Sequence, residues 1–378
     1  MITLFGPLPP PVNGHTLAFK CLVEGLKEGS VDYKLVDYSP RLFDAKKSQI
    51  LFYRIFEYFL ILFKYFQYLR REKKQVVYIT LNQAVNGALR DLILILIAKM
   101  FNHKVVVHIH GGMYDEILKK IPGSFRKLFL SALKKCSKII VLSENLRKMF
   151  DDFPELKKKL VVVKNGLPFC IKNQQSQYEK DINPNDWISL LFLSNMIETK
   201  GWLETLEMVK ILVREKGLNI RARFCGPFQI MPGDKKFRSA IEAREAFFEF
   251  IKQNFLEKNV EYFEFVDEAK KIESLMGAQF MIFPSRYPNE GQPLVLIEGL
   301  AYGCVLVGTD YRAIPDMIRN GESGILTSSD PEKMAESIYF LVNNSDEYRR
   351  LSKGARDLFV REFTREKYIK NMLEILLD

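Results

Sequence analysis

The apolar residues of this chain fall in short runs, and the runs alternate with stretches of helical spacing. Residues 2–5, 33–36, 76–80, 105–109, 139–142 and 160–163 are compact apolar blocks rich in Val and Ile, and 16–27, 87–101 and 124–135 between them carry apolar positions at helical spacing. Short buried strands alternating with helices predict a parallel sheet covered on both faces. The pattern breaks over 165–186, where Gly166, Pro168 and Pro184 accompany the polar run KNQQSQYEKDINPND. It then resumes. Strand candidates lie at 188–193, 220–225, 260–265, 280–283, 305–308 and 324–326, with helices expected over 202–216, 238–255, 269–276, 293–302 and 331–343. The tail 346–378 has the spacing of two helices, with Thr364 placed to cap the second. The expected class is therefore α/β, with Rossmann-like domains over 1–166 and 187–358, a linker at 167–186, and a C-terminal helix within 359–378. A length of 378 residues suits two such domains.

One segment departs from the scheme. Residues 50–69, ILFYRIFEYFLILFKYFQYL, hold nine Phe or Tyr, and Arg54, Glu57, Lys64 and Arg71 form a narrow polar stripe on a helix. The interrupting charges argue against a membrane span. Two expectations remain open: a helix packed into the core of the first domain, or one lying on a membrane or partner, beside the basic run 70–74.

Charge sharpens the second possibility. The net charge is +10, but residues 1–165 hold 28 Lys and Arg against 14 Asp and Glu (+14), leaving 28 against 32 (−4) for the rest. A basic first half attracts anions, either nucleic acid or an anionic membrane, although no stacking motif or nucleic-acid module is evident. The five cysteines, at 21, 136, 170, 225 and 304, are scattered without a Cys-x-x-Cys pair, which suits buried thiols in a reducing compartment. MITLFGPLPPP has neither the basic start nor the long apolar core of an export signal, so a cytoplasmic location is expected.

Candidate chemistry lies in loops after strands. The loop from Gly6 to Gly14, followed by His15, precedes a helix, and Gly14 allows backbone to approach a ligand phosphate at the helix N-terminus. His108 and His110 end the run VVVHIH. Period two puts them on one sheet face, with His110 at the carboxyl edge where open α/β sheets bind ligands. Asn195 and Lys200 occupy the loop after 188–193, and a lysine there suits a phosphate. In PSRYPNEGQPLVLIEGLAYGCVLVGTD, Pro293 suits the first position of a helix and Gly303 its end. Glu290 then lies ahead of the helix and Glu298 inside it, while the amides after Pro293 face outward as anion donors. A carboxylate in the helix can accept hydrogen bonds from two neighbouring sugar hydroxyls.

These residues, taken together, resemble the retaining glycosyltransferases of family 4, which have the two-domain GT-B fold. The resemblance covers essentially the whole chain. It is carried by a Glu-x7-Glu motif, Glu290-GQPLVLI-Glu298, with Gly303 and CVLVGTD after it, and by the Gly6–Gly14 loop, His110-Gly111, Ser143-Glu144, Asn165-Gly166 and Lys200-Gly201. It implies a donor site in the cleft between two facing domains, with the C-terminal helix crossing back to the first. Glu298 would hold the ribose, the backbone around Gln292, Pro293, Leu294 and Val295 the diphosphate, Glu290 the donor sugar and Lys200 the phosphates, with Gly291 also at the donor and His110 orienting the sugar. Gly14 and Asn195 would border the donor, and His15 and Gln83 the acceptor. The implied reaction retains anomeric configuration and needs no cofactor or essential metal; consistently, the chain contains no Asp-x-Asp.

Two departures stand out. Asn195 replaces an arginine common in the family, for which Arg286 is the candidate substitute, and Pro293 replaces a frequent glycine. The stretch YITLNQAVNGALRD (78–91) also looks like enzymes that build bacterial surface polysaccharides. The expected partners are a nucleotide-sugar donor, most simply UDP-linked, a glycan or lipid-linked acceptor, and an anionic membrane at the inner face of the cell; nucleic acid is not expected. The competing readings are a sugar-nucleotide epimerase or hydrolase on the same fold, and a non-catalytic nucleotide-sugar or nucleic-acid binding protein.

Overall fold

The computed structural model describes residues 1–39, 47–71, 74–169, 171 and 180–378, with the side chains of 47–55 and 86 outside the description. Residues 172–179 of the 165–186 stretch, Cys170, and the side chain of Arg54 therefore lie outside the described residues, as do Glu72 and Lys73 of the basic run. Two compact units emerge: Met1–Cys170 together with Thr364–Asp378, and Ile171–Phe363.

The first unit is built on β1 (Ile2–Gly6), β2 (Tyr33–Asp37), β3 (Val76–Thr80), β4 (Lys104–His108), β5 (Lys138–Val141) and β6 (Leu160–Val162). All pair in parallel, in the order β2-β1-β3-β4-β5-β6. Its helices before the linker are α1 (Gly14–Glu28), α2 (Lys47–Arg70), α3 (Ala88–Met100), α4 (Tyr114–Lys120), α5 (Gly123–Lys135) and α6 (Pro154–Lys157). The central strands are buried along almost their whole length, which is why they appear in the sequence as continuous apolar runs instead of alternating ones.

The second unit repeats the plan with β7 (Ile188–Leu193), β8 (Ile220–Cys225), β9 (Val260–Phe263), β10 (Phe280–Phe283), β11 (Val305–Thr309) and β12 (Gly324–Thr327), ordered β12-β11-β10-β7-β8-β9 and parallel throughout. Around it lie α7 (Trp202–Arg214), α8 (Ala240–Gln253), α9 (Glu268–Gly277), α10 (Leu294–Ala301), α11 (Pro331–Val342) and α12 (Ser345–Glu362). Trp202, Phe224, Phe228 and Phe247 pack edge to face in its core, in the geometry that aromatic quadrupoles favour.

The last helix, α13 (Arg365–Leu377), belongs to the first unit. Thr364 caps it, its side chain accepting from the Lys367 amide. Tyr368, Met372 and Leu376 join Phe19, Leu22 and Leu26 of α1 in one core cluster, and Tyr368 Oη donates to the Ala18 carbonyl at 3.1 Å. Arg365 grips Glu28 with two hydrogen bonds of 2.7 Å. Gly25 leaves room for Ile369, and Gly166 lets the chain pass the Thr364 carbonyl, where a Cβ would come within 2.5 Å.

Two local expectations need correction. β4 ends at His108, so His110 stands just past the strand; its ring still lies on the His108 side. Pro293 is the residue before α10, not its first turn. Its ψ of 116° is extended, so the helix begins at Leu294.

In both sheets the chain leaves the first strand in one direction and later returns to its other side. β1 lies between β2 and β3, and β7 between β8 and β10. The reversal separates the loops that follow the two neighbouring strands and opens a crevice at their carboxyl ends, the usual ligand position in open α/β sheets.

Candidate functional site

In the second unit, the loops at that reversal are those after β7 and β10, and they carry the residues singled out from sequence. The loop after β7 turns through Glu198–Lys200 into Gly201, whose φ is +83°. A Cβ at Gly201 would approach Pro284 Cγ to 2.6 Å and the Pro284 carbonyl oxygen to 2.8 Å. Glycine is therefore required twice there, for its backbone conformation and for the close approach of the neighbouring loop. The Arg286 amide donates to the Thr199 carbonyl at 2.7 Å, tying the two loops together.

That seam brings Lys200 Nζ to 2.6 Å from Glu290 Oε2, with both side chains largely buried. Ser285 Oγ donates to the same Oε2 at 2.6 Å. Ser285 is itself fixed, its carbonyl accepting from Thr309 Oγ1 at 2.6 Å and its Oγ accepting from the Tyr287 amide at 3.2 Å. The Lys200 ammonium also lies over the rings of Tyr287 (4.8 Å) and Phe283 (5.2 Å). A buried ion pair persists only when its remaining hydrogen-bonding capacity is met, and the serine and aromatic faces do this here. Both bonds to Glu290 fall on one oxygen, so among the described residues Oε1 is the carboxylate oxygen open to a ligand.

Helix α10 follows directly. Glu290 and Gln292 are buried in the loop before it, and Glu298 is buried one turn inside. The Leu296 amide is taken by the Pro293 carbonyl. The residues four back from Leu294 and Val295 lie in the loop before α10, so these two amides are the first-turn donors at the positive end of the helix. Glu298 Oε1 accepts from Lys271 Nζ of α9 at 2.6 Å. Burial pushes the Glu298 carboxyl above its usual range, and the lysine opposes that shift.

Two expected donor residues lie apart from this cluster. The Arg286 guanidinium reaches Glu204 in the first turn of α7 at 2.7 Å and is half exposed. The Asn195 amide donates to Gln229 Oε1 at 3.1 Å. Gly291 joins Glu290 to Gln292 in the loop before α10.

In the first unit, the reversal lies between β1 and β3. Asn13 and Thr16 form a reciprocal capping box at the start of α1, with bonds of 3.0 and 3.1 Å. This pins Gly14 as the first helical residue and His15 next to it. The His15 and His110 rings stack at 4.3 Å, and His110 lies 4.0 Å from His108. Beneath them Tyr78 Oη meets His108 Nδ1 at 2.7 Å. Burial, with Arg90 nearby, lowers His15 to about 4; burial lowers His108 to about 3 and His110 well below the ordinary value, each helped by neighbouring histidines. All three imidazoles are therefore neutral near pH 7, and both ring nitrogens of His110 lack a hydrogen-bond partner among the described residues. Gln83, in the loop after β3, makes one long contact with the Leu81 carbonyl at 3.4 Å, and its Oε1 is buried without a partner there.

Sequence reasoning missed Ser285, Tyr287, Lys271, Tyr78 and the Arg90–Asp91 pair. Arg90 binds Asp91 through Nε and Nη2 at 2.8 and 2.6 Å and stacks over Tyr38 at 4.4 Å. Serine and tyrosine carry no distinctive spacing: Tyr78 meets His108 from a neighbouring strand, and Ser285 reaches Glu290 because the loop between them folds back. Asp91 within an apolar helix was the one available signal, because a buried carboxylate demands a partner.

Residues 173–358 match the family model of glycosyl transferases group 1. The chain is 23% identical over 274 residues to an uncharacterised glycosyltransferase, MJ1178, of Methanocaldococcus jannaschii, covering 71% of this chain and 67% of that one. It is 27% identical over 176 residues to the capsular polysaccharide biosynthesis glycosyltransferase CapH of Staphylococcus aureus, covering 47% of this chain and 43% of that relative. The match thus spans less than half of the capsular enzyme. Among solved structures, Alr3699/HepE of Anabaena in complex with UDP superposes with a TM-score of 0.69 at 14% identity, covering 100% of this chain and 99% of that one. The fold is that of the GT-B glycosyltransferases.

Proposed function

We propose that this chain, whose residues 173–358 match the model of glycosyl transferases group 1, is an enzyme that moves a sugar from a nucleotide-sugar donor, with UDP as the nucleotide, to a glycan or lipid-linked acceptor in surface polysaccharide synthesis. The observation that carries this reading is the Lys200–Glu290–Ser285 cluster at the strand reversal, with the N-terminus of α10 directly behind it. Glu298 takes the ribose hydroxyls in place of Lys271, and the Leu294 and Val295 amides take the diphosphate. Lys200 leaves Glu290 to neutralise the phosphates, and Glu290 turns to the hydroxyls of the donor sugar. His110, neutral and with both nitrogens unpartnered among the described residues, can give one hydrogen bond to the sugar and accept another. Arg286 is offered for the charge missing at Asn195 and would exchange Glu204 for phosphate.

The acceptor hydroxyl attacks the anomeric carbon on the face that the leaving group departs from. The bond from that carbon to the diphosphate oxygen breaks, and the hydroxyl proton passes to the departing diphosphate. Configuration is retained, and lysine and helix amides stabilise the leaving charge without an essential metal. The relatives support the substrate class: one is named for capsular polysaccharide synthesis, and one neighbour is described in complex with UDP. Work on a lipid-linked acceptor would place the chain on the inner face of the cell membrane.

The test is product analysis with UDP-sugars and an acceptor panel, following anomeric configuration by NMR. Wild-type protein is expected to form a glycoside of unchanged configuration. Lys200→Ala and Glu290→Ala should each lose about 10²-fold or more in turnover, as for loss of a positioned charge at the reacting centre. An inverted product, or full turnover in both variants, contradicts the proposal.

A further inference from the structure

Helix α2 has a face that neither group of site residues uses. Its inner side is anchored: Tyr65 and Leu69 are fully buried, and Tyr65 Oη donates to the Leu94 carbonyl at 3.0 Å. On the outer side Phe56, Phe59, Leu60 and Phe63 are 57, 69, 52 and 54% exposed. Their spacing of three, four and seven residues puts them on a single stripe. The stripe continues at the same spacing through Gln67 to Arg70 and Arg71, all three exposed. Lys64 is exposed on its flank, its ammonium 5.5 Å from the Tyr68 ring, and Lys74 is exposed just beyond the helix. Glu57, on the same helix, lies off the stripe and is half-buried. Among the described residues, then, the outward stripe is two turns of large apolar side chains followed by cations, with no acidic group on it.

A run of exposed aromatic side chains on one stripe marks an interaction surface. The charge on the page selects the occupant. A second copy of the chain would bring together two surfaces of the same sign, since residues 1–165 carry 28 Lys and Arg against 14 Asp and Glu. An anionic lipid surface complements both parts of the stripe. Among the described residues no helix is long and apolar enough to cross a membrane, so the fit is to a helix lying in the plane of the interface. We propose that α2 docks on an anionic bilayer, with Phe56, Phe59, Leu60 and Phe63 at the acyl boundary and Lys64, Arg70, Arg71 and Lys74 at the headgroup phosphates. This narrows the membrane association named above to one face of one helix, and it does not depend on the transfer reaction.

The test is flotation of the full chain with vesicles of phosphatidylcholine, with and without phosphatidylglycerol, at low and high salt. Wild-type protein is expected to float with the anionic vesicles at low salt and to be released by high salt or by omitting the anionic lipid. A Phe59→Ser, Phe63→Ser double variant should lose roughly ten-fold or more in vesicle affinity, because two large apolar side chains no longer leave water. An Arg70→Glu, Arg71→Glu variant should lose it likewise. Circular dichroism and the nucleotide-induced thermal shift are read on every variant; their preservation separates loss of docking from misfolding or from failure of the donor site. Absence of wild-type binding, or unchanged binding in both variants, overturns the proposal. A wild-type dimer in sedimentation velocity that either variant dissolves also overturns it, in favour of self-association through this face.

Discussion

Lys200 and Glu290 neutralise one another before any donor arrives, and that pairing explains how two charges are kept in a largely buried loop. It also separates the effects of individual substitutions. Removing either partner leaves the other buried and uncompensated, so stability should fall along with turnover. Arg286 is exposed, and Arg286→Ala is expected to raise KM for the donor with little change in stability; an unchanged KM removes Arg286 from the site. The three histidines give the residue scale its pH dependence. Their native pKa values lie below the ordinary value of about 6.5, so below pH 6.5 the unfolded chain binds protons that the native state does not. Stability is therefore complete above about 6.5 and falls as the pH drops through the interval down to about 4 for His15 and about 3 for His108. Urea unfolding at pH 7 and at pH 5 should show the lower midpoint at pH 5. His108→Gln should reduce that difference, and an undiminished difference would mean that the imidazoles do not titrate as described.

At the scale of elements, the strands were the most legible part of the sequence. Buried parallel strands are apolar on both faces, and β7, β8 and β10 begin and end where the pattern places them. Helix ends were less legible because caps are local hydrogen bonds; Thr364 was evident, whereas the Asn13–Thr16 box and the exact start of α10 were not. Helix α2 was ambiguous for a physical reason. Aromatic residues all around a helix fit a core or a lipid surface equally well, and only the structure separates Tyr65 and Leu69 from the exposed stripe. For the candidate site, Glu290, Glu298, Lys200 and His110 stood out because a recognisable motif or a strand end carries them. Lys271 and Tyr78 did not, because contacts between elements have no signature in spacing, and Ser285 did not, because its bond to Glu290 depends on how the loop folds. The junction at Gly201 gives a prediction at this scale. Gly201→Ala forces a side chain into a left-handed conformation and against Pro284, so it should cost about 1–3 kcal/mol in stability and part the loops that hold Lys200 on Glu290. A melting temperature and turnover equal to wild type would show that the two loops are not coupled there.

For the whole molecule, the chain makes the same device twice. Each unit has six parallel strands with one reversal of direction. In the second the loops at the reversal carry a carboxylate and an ammonium before a helix N-terminus, and in the first neutral imidazoles gather from the start of α1, the end of β4 and the residues just after it. The last helix returns to the first unit and is fixed there by Tyr368 and the Arg365–Glu28 pair. The central claim is that the second unit binds a nucleoside diphosphate through α10 and Glu298. Its most direct test is thermal unfolding of wild-type and Glu298→Ala protein with UDP, GDP, ADP, CDP and TDP, each with and without magnesium. A ligand at about 100 times its Kd stabilises the native state by roughly 2.7 kcal/mol, a shift of several degrees. One nucleotide, expected to be UDP, should raise the wild-type midpoint to the same extent with and without magnesium, and the shift should be largely lost in Glu298→Ala. No shift from any nucleotide, or an equal shift in the variant, would contradict the assignment of this site.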